Sequence, residues 1–274
     1  MLRVITRRGQ SSRALNWQIK GLILAALQDC YVPDRLQSKT DERTTAEKDD
    51  MWLWIGIGAV IILALITTYT IYGHKRHLSP TKGKKIDFSQ RPNSALVIID
   101  LQEDFTLATG KNAYDPALVE KTISAINELV QLANETGQPV ISVRQIFKGW
   151  YINLLVKLLN KGRGSPKSAG LDLDSRLNGD IDHDITKARA DAFTAPELER
   201  VLERQKVGRL QIVGLDGNYC VKATMQAAIN RGYDVSFTDA GILTVNPAIW
   251  QKTKARLAAS GVTSGSAQAS AEAS

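Results

Sequence analysis

From Trp52 to Gly73 the chain carries no charged side chain; Ile, Leu, Val, Ala and Gly fill the run, with a few Thr and Tyr. A helix of that length rises about 33 Å, enough to cross the hydrocarbon core of a bilayer. Charge-free runs this long are rare in soluble cores, so the sequence predicts a transmembrane helix over residues 51–73. Trp52, Trp54, Tyr69 and Tyr72 are placed as interfacial anchors, and membrane lipid is the first partner implied. Lys75, Arg76, Lys82, Lys84 and Lys85 follow the run, whereas Glu47, Asp49 and Asp50 precede it beside Lys48. Arg35, Lys39 and Arg43 soften the contrast, but the balance predicts a single-pass protein with its C-terminal part in the cytoplasm.

The net charge of +7 reads differently once it is located. Residues 1–90 hold 14 Lys and Arg against 8 Asp and Glu, leaving 21 against 20 beyond them. The surplus sits beside the membrane run, where anionic head groups attract it, and the nearly neutral remainder excludes nucleic acid as a partner. Cys30 and Cys220 lie on opposite sides of the run and cannot pair within one chain if it spans a membrane. Of three histidines only His183 lies well beyond the span, so neither a metal site nor a cofactor is expected.

The segments divide as follows. Residues 1–13 carry Arg3, Arg7, Arg8 and Arg13 without an acid, as a mitochondrial presequence does, or form a plain basic tail. Leu15, Ile19, Leu22, Ile23, Ala26 and Leu27 then recur at helical spacing, as on a membrane-surface or partner-binding helix. Pro33 to Asp50 and His74 to Asn93 read as linkers. A globular domain follows over residues 94–258, and 259–274 reads as a disordered tail of small residues.

Within the domain, strands and helices alternate: a strand at 96–101, a helix at 116–136, a strand at 139–144 and an amphipathic helix at 150–160. The long connection 161–182 is read as a functional loop over a site. A helix opened by a capping box, Thr194 to Glu197, a strand at 210–214, a helix at 219–230 stopped by Gly232 and a strand at 234–238 complete the pattern. Such alternation predicts an α/β fold, a three-layer αβα sandwich around a mainly parallel, Rossmann-like sheet.

Chemistry concentrates at strand ends. Asp100 closes the apolar run Leu96 to Ile99, in the position where parallel sheets present ligand-binding and catalytic groups. Cys220 lies where a second apolar strand turns through Asp216, Gly217 and Asn218 into a helix, whose N-terminus is expected to favour a thiolate and an oxyanion beside it. Lys187 can bring a positive charge to both. Taken singly, each has a plain reading: a turn aspartate, a buried structural cysteine, a surface lysine.

Together these residues resemble the isochorismatase-like cysteine hydrolases, which include nicotinamidases and N-carbamoylsarcosine amidases. The resemblance spans about residues 94–246. It rests on Asp100, Gln102 and Phe105, on Lys187 before Asp191, Ala192 and Phe193, and on Gly214 through Cys220 and Val221. Thr224, Ala228, Gly232, Tyr233, Val235, Asp239 and Ala240 continue it. The resemblance implies a triad of Asp100 as general base, Lys187 as cation and Cys220 as nucleophile, passing through a thioester. It also implies a cis peptide at Leu215-Asp216 and an oxyanion hole from the backbone N–H groups of Asp216 and Cys220.

The departures shape the substrate reading. Nicotinamidases carry an Asp-x-His element and a further histidine for a metal; no counterpart stands between Phe105 and Lys187, so a small amide other than nicotinamide is implied. Gln102, Phe105, Arg144 and Trp150 are the candidate substrate contacts, with Tyr151 beside them, although Trp150 and Tyr151 also fit as packing residues. The reading is a membrane-anchored hydrolase of a carbon–nitrogen bond, and a homo-oligomer is compatible with it. Isochorismatase-type ether hydrolysis and a catalytically silent, membrane-anchored interaction module remain as alternatives.

Overall fold

The computed structural model describes residues 34–107 and 114–265, with side chains from residue 47 onward. The basic segment 1–13, the periodic segment 14–32 and Cys30 lie outside the described residues. The chain divides after Tyr69 into two units.

The described part of the first unit is helical. Helix α1 (Asp34–Leu78) starts well before the apolar run, where a linker was expected. Its early part contains neither Gly nor Pro, and Leu36, Gln37, Lys39, Glu42, Arg43, Ala46, Glu47 and Lys48 supply good helix formers among Asp and Thr. The side chains of the apolar run stand open: Trp54 is 69% exposed and Leu63 64%. Among the described residues one helix is long and apolar enough to cross a membrane.

The second unit contains the last turns of α1 and a seven-stranded sheet. In chain order its elements are β1 (Asn93–Ile99), α2 (Glu103–Thr106), α3 (Pro116–Glu135), β2 (Val140–Gln145), α4 (Trp150–Asn160), β3 (His183–Lys187), α5 (Pro196–Arg204) and β4 (Val207–Leu215). After these come α6 (Lys222–Asn230), β5 (Asp234–Phe237), β6 (Ile242–Leu243), α7 (Pro247–Ala259) and β7 (Thr263–Ser264). The strand order is β3-β2-β1-β4-β5-β7, with β6 paired to β4, and every pairing is parallel. The core strands β1, β2 and β4 are near-continuous apolar runs because helices cover both faces. The fold is the expected three-layer α/β arrangement.

Helices dock by one stripe each. Helix α3 buries Val119, Ile123, Ile126 and Val130, and Asp115 caps its start by accepting from the Ala117 N–H at 2.9 Å. Each such side chain contributes roughly 1.5–3 kcal/mol. Helix α5 buries Leu198, Val201 and Leu202, but the expected capping box does not form. Its N-cap is Ala195; Thr194 ends a preceding short turn and donates its hydroxyl to the Asp191 carbonyl instead.

Two further expectations are corrected. Residues 74–93 are not a free linker: α1 runs to Leu78, and the strand-free segment after it is pinned to the domain. Asp191, fully buried, accepts from Thr81 N at 2.7 Å and from Thr81 Oγ1, and Ile86 N donates to the Arg231 carbonyl. The tail begins later than expected, since Val262 is buried and β7 pairs with β5; residues 266–274 lie outside the described residues.

The centre of the sheet is its tightest point. Strand order reverses at β1, which lies between β2 and β4, and this switch opens a crevice at the strands' carboxyl ends. Gly214 on β4 sits opposite Ile99 with φ +111°, and a Cβ there would lie 2.1 Å from the Ile99 carbonyl oxygen. Gly214→Ala should therefore cost roughly 2 kcal/mol or more through strain and overpacking. Chemical denaturation of the full chain in detergent checks this, and an unchanged midpoint would contradict the close approach.

Candidate active site

Three strand ends meet in the crevice. Asp100 follows β1 with φ 55°, and its N–H donates to the Val143 carbonyl on the neighbouring strand. Lys187 ends β3, in register with Gln145 at the end of β2. Cys220 follows β4 through a cis Leu215–Asp216 peptide and a π-type turn, Gly217–Val221, that runs into α6.

The centre is a buried ion pair. Lys187 Nζ donates to Asp100 Oδ2 at 2.9 Å and to Gln145 Oε1 at 2.6 Å, and the side chains are 0% and 5% exposed. Asp100 Oδ1 is buried without a geometric hydrogen-bond partner, and the Cys220 thiol interacts electrostatically with both members of the pair. Burial raises the Asp100 carboxyl above the usual carboxylate range, although Lys187 pulls it down. Burial lowers Lys187, but Asp100 and Cys220 outweigh that and leave it above its ordinary value.

Cys220 differs from expectation. Burial pushes its thiol well above a free thiol, the Asp100 charge adds to this, and Lys187 only partly offsets them. Both effects favour the protonated thiol over the thiolate, and the helix start does not outweigh them. A proton acceptor is already in place for it.

The turn before Cys220 is braced by its own aspartate. Asp216 accepts from Asn218 N at 2.6 Å, Val245 N at 2.8 Å and the Tyr114 hydroxyl at 3.3 Å. Burial nevertheless raises its carboxyl, and it raises the Tyr114 phenol too, which stays a donor. Asn218 is tied to Thr244 and Thr253, so the turn is locked to α7 and the loop before it.

A cavity of about 570 Å³ opens onto Cys220, Asp100 and Asp216. Its walls are apolar, with Phe105, Phe147, Ile152, Leu155 and Val156 among them. The last turn of α1 closes one side through His74, His77 and Leu78. That turn is held next to Lys187 because Ala190 N donates to the His77 carbonyl at 3.1 Å and Arg189 donates to that of Arg76.

The sequence-derived candidates thus separate. Asp100, Lys187, Cys220, Asp216 and Phe105 converge. Gln102 does not face the cavity: fully buried, it bridges β1 to β2 by accepting from Gln145 N and donating to the Leu171 carbonyl. Arg144 is held by both oxygens of Asp184 and the Leu171 carbonyl, also away from the cavity. Trp150 is 77% exposed at the start of α4 and forms no part of the wall. Residues 161–182 serve mainly as a brace, since Gly164 and Ser168 bond Asp104, although Arg163 reaches the cavity. Gln145 and Tyr114 were missed; Gln145 carried a signal, as a polar residue closing a buried parallel strand.

Among the described residues no three His, Cys, Asp or Glu side chains cluster closely enough to hold a metal ion.

Residues 94–269 match the family described as the Isochorismatase domain. The uncharacterized isochorismatase family protein YddQ of Bacillus subtilis is 25% identical over 141 residues, covering 51% of this chain and 72% of that protein. Among solved structures, an isochorismatase family protein from Desulfovibrio vulgaris superposes with a TM-score of 0.57 at 22% identity, over 66% of this chain and 97% of that one. The pyrazinamidase/nicotinamidase from Streptococcus mutans gives 0.56 at 22% identity, over 63% and 100%. N-carbamoylsarcosine amidase from Thermoplasma acidophilum gives 0.54 at 18%, over 64% and 96%. These structural likenesses carry the fold.

Removing one partner of the ion pair should leave an uncompensated buried charge. Lys187→Met is expected to lose about 3–5 kcal/mol at neutral pH. An unpaired Asp100 would titrate still further above its unfolded value, so it would destabilise the fold as pH rises through that window. The deficit should therefore shrink toward pH ~4, near the unfolded carboxylate value. Denaturation curves across pH check this; a pH-independent deficit would contradict it.

Proposed function

The chain belongs to the isochorismatase family, and we propose that this member is a membrane-anchored cysteine hydrolase cleaving a carbon–nitrogen bond of amide type. One observation carries the reading: Asp100 gives one oxygen to Lys187 and keeps the other open for the Cys220 thiol, at the floor of a cavity.

In this reading Asp100 takes the thiol proton as sulfur attacks the substrate carbonyl carbon. Burial raises its basicity, the direction a general base needs. The carbonyl oxygen gains negative charge and is received by the backbone N–H groups of Asp216 and Cys220. Asp100 returns the proton to the leaving nitrogen, the C–N bond breaks, and the acyl group remains on Cys220 as a thioester. Water then attacks, giving its proton to Asp100, and the acid leaves as the thiol is restored. Lys187 keeps Asp100 charged between the steps and offsets the charge on sulfur.

The anchoring part rests on the exposed apolar run of α1 and on the basic residues after it, which favour a cytoplasmic domain. If α1 spans the bilayer, the protein should stay with membranes through alkaline extraction; release into the soluble fraction would count against the anchor.

A screen of small amides and ureides with the full chain tests the chemistry. Cys220→Ala should lower turnover at least about 10³-fold, as loss of a covalent nucleophile does. Hydrolysis that survives in Cys220→Ala would overturn the covalent route.

A further inference from the structure

Helix α4 buries none of its residues, yet it is built largely of Ile, Leu, Val, Trp and Tyr. Its apolar residues divide between two directions. Ile152, Leu155 and Val156 face the cavity that ends at Cys220, whereas Trp150, Leu154 and Leu158 stand in the open, 77%, 47% and 71% exposed. Leu159, 83% exposed and also on the cavity wall, sits at the mouth between them. Lys148, Lys157 and Lys161 flank this strip. An in-plane membrane helix has this composition, with a Trp and leucines on one face and lysines around them.

The cavity has a second wall of the same kind. Leu78 lines it and lies five residues beyond Gly73, the end of the apolar run. Even a fully extended chain of that length reaches only about 17 Å, so the cavity cannot lie far from the end of the run. An enzyme for a small polar amide in bulk water would not require exposed leucines at its mouth or apolar walls above a polar floor.

We propose that the substrate is an amphiphile, an amide bearing a long hydrocarbon chain, and that it enters from the membrane leaflet along α4. This rests on the hydrolase reading above for its chemistry, and on the anchored reading for its geometry. The chain lies along Ile152, Leu155 and Val156, the amide reaches the Cys220 sulfur, and Trp150, Leu154 and Leu158 rest in the lipid interface. Water for the second step enters after the leaving amine departs.

The full chain in phosphatidylcholine nanodiscs provides the test. Cys220 labelling is followed by mass spectrometry with two probes of one reactive group, N-methyl iodoacetamide and N-hexadecyl iodoacetamide. The long-chain probe should label Cys220 faster by at least about 10-fold after correction for partitioning, a factor that two buried methylenes already supply. Leu154→Asp with Leu158→Asp should reduce that ratio. The same pair of chain lengths is then compared as amide substrates, with Cys220→Ala as the blank. A chain-length preference in labelling without hydrolysis of any amide would leave the amphiphile site standing and overturn the hydrolase reading. Equal labelling by both probes would overturn the amphiphile site, whatever the enzyme hydrolyses. If the two aspartates instead split a dimer and leave the labelling ratio unchanged, the face belongs to a second copy of the chain and the proposal falls.

Discussion

Lys187 reaching Asp100 is the contact on which the rest of the site depends. The two residues end β3 and β1, which are not neighbours; β2 lies between them. At about 4.8 Å per strand the backbones stand roughly 10 Å apart, a gap that a lysine stem crosses and a shorter side chain does not. Gln145, at the end of the intervening strand, accepts from the same ammonium midway. A buried charge that long and that dry is tolerated only when paired, so the ion pair demands the strand order, and the strand order supplies the pair. Cys220 then arrives from the other side of β1, because β4 packs there through the bare backbone of Gly214. The electrostatic consequence is division of labour within one carboxylate: one oxygen neutralised, the other left as an acceptor.

Much of this was legible in the amino-acid sequence, for identifiable reasons. Parallel strands covered on both faces must be uninterrupted apolar runs, so β1, β2 and β4 declared themselves, and the polar residue closing a run marked the sheet edge. Asp100 follows such a run and Cys220 lies one turn beyond another, whereas Lys187 ends β3, a short mixed strand, His183–Lys187, that the pattern did not reveal. Roles that depend on what lies across space were not legible. Gln102 lies two residues from Asp100 and Arg144 near the end of the next strand, yet their side chains satisfy buried backbone groups and an acidic neighbour. Thr194 looked like a cap until Pro196 and the preceding turn displaced the start of the helix. The thiol's ionisation also escaped, because a helix N-terminus can be read from sequence whereas burial beside a carboxylate cannot.

The segment after the apolar run shows the same limit from the other direction. Its lysines, serines and glycines have the composition of a linker, but Asp191 needs partners for a buried carboxylate and takes them from Thr81. That bond, with His77 held to Ala190, makes the end of α1 part of the cavity wall. The end of α1, in the second unit, is therefore part of the site's own construction rather than a free connection to it.

The central claim is that Asp100 holds the proton-accepting position while keeping the Cys220 thiol protonated at rest. The pH dependence of Cys220 alkylation in the wild-type chain and in Asp100→Asn tests it most directly. Removing the carboxylate leaves Lys187 as the neighbouring charge, so the thiolate should form at lower pH in Asp100→Asn than in the wild type, even as turnover is lost. An unchanged midpoint, or one shifted upward, would contradict the account.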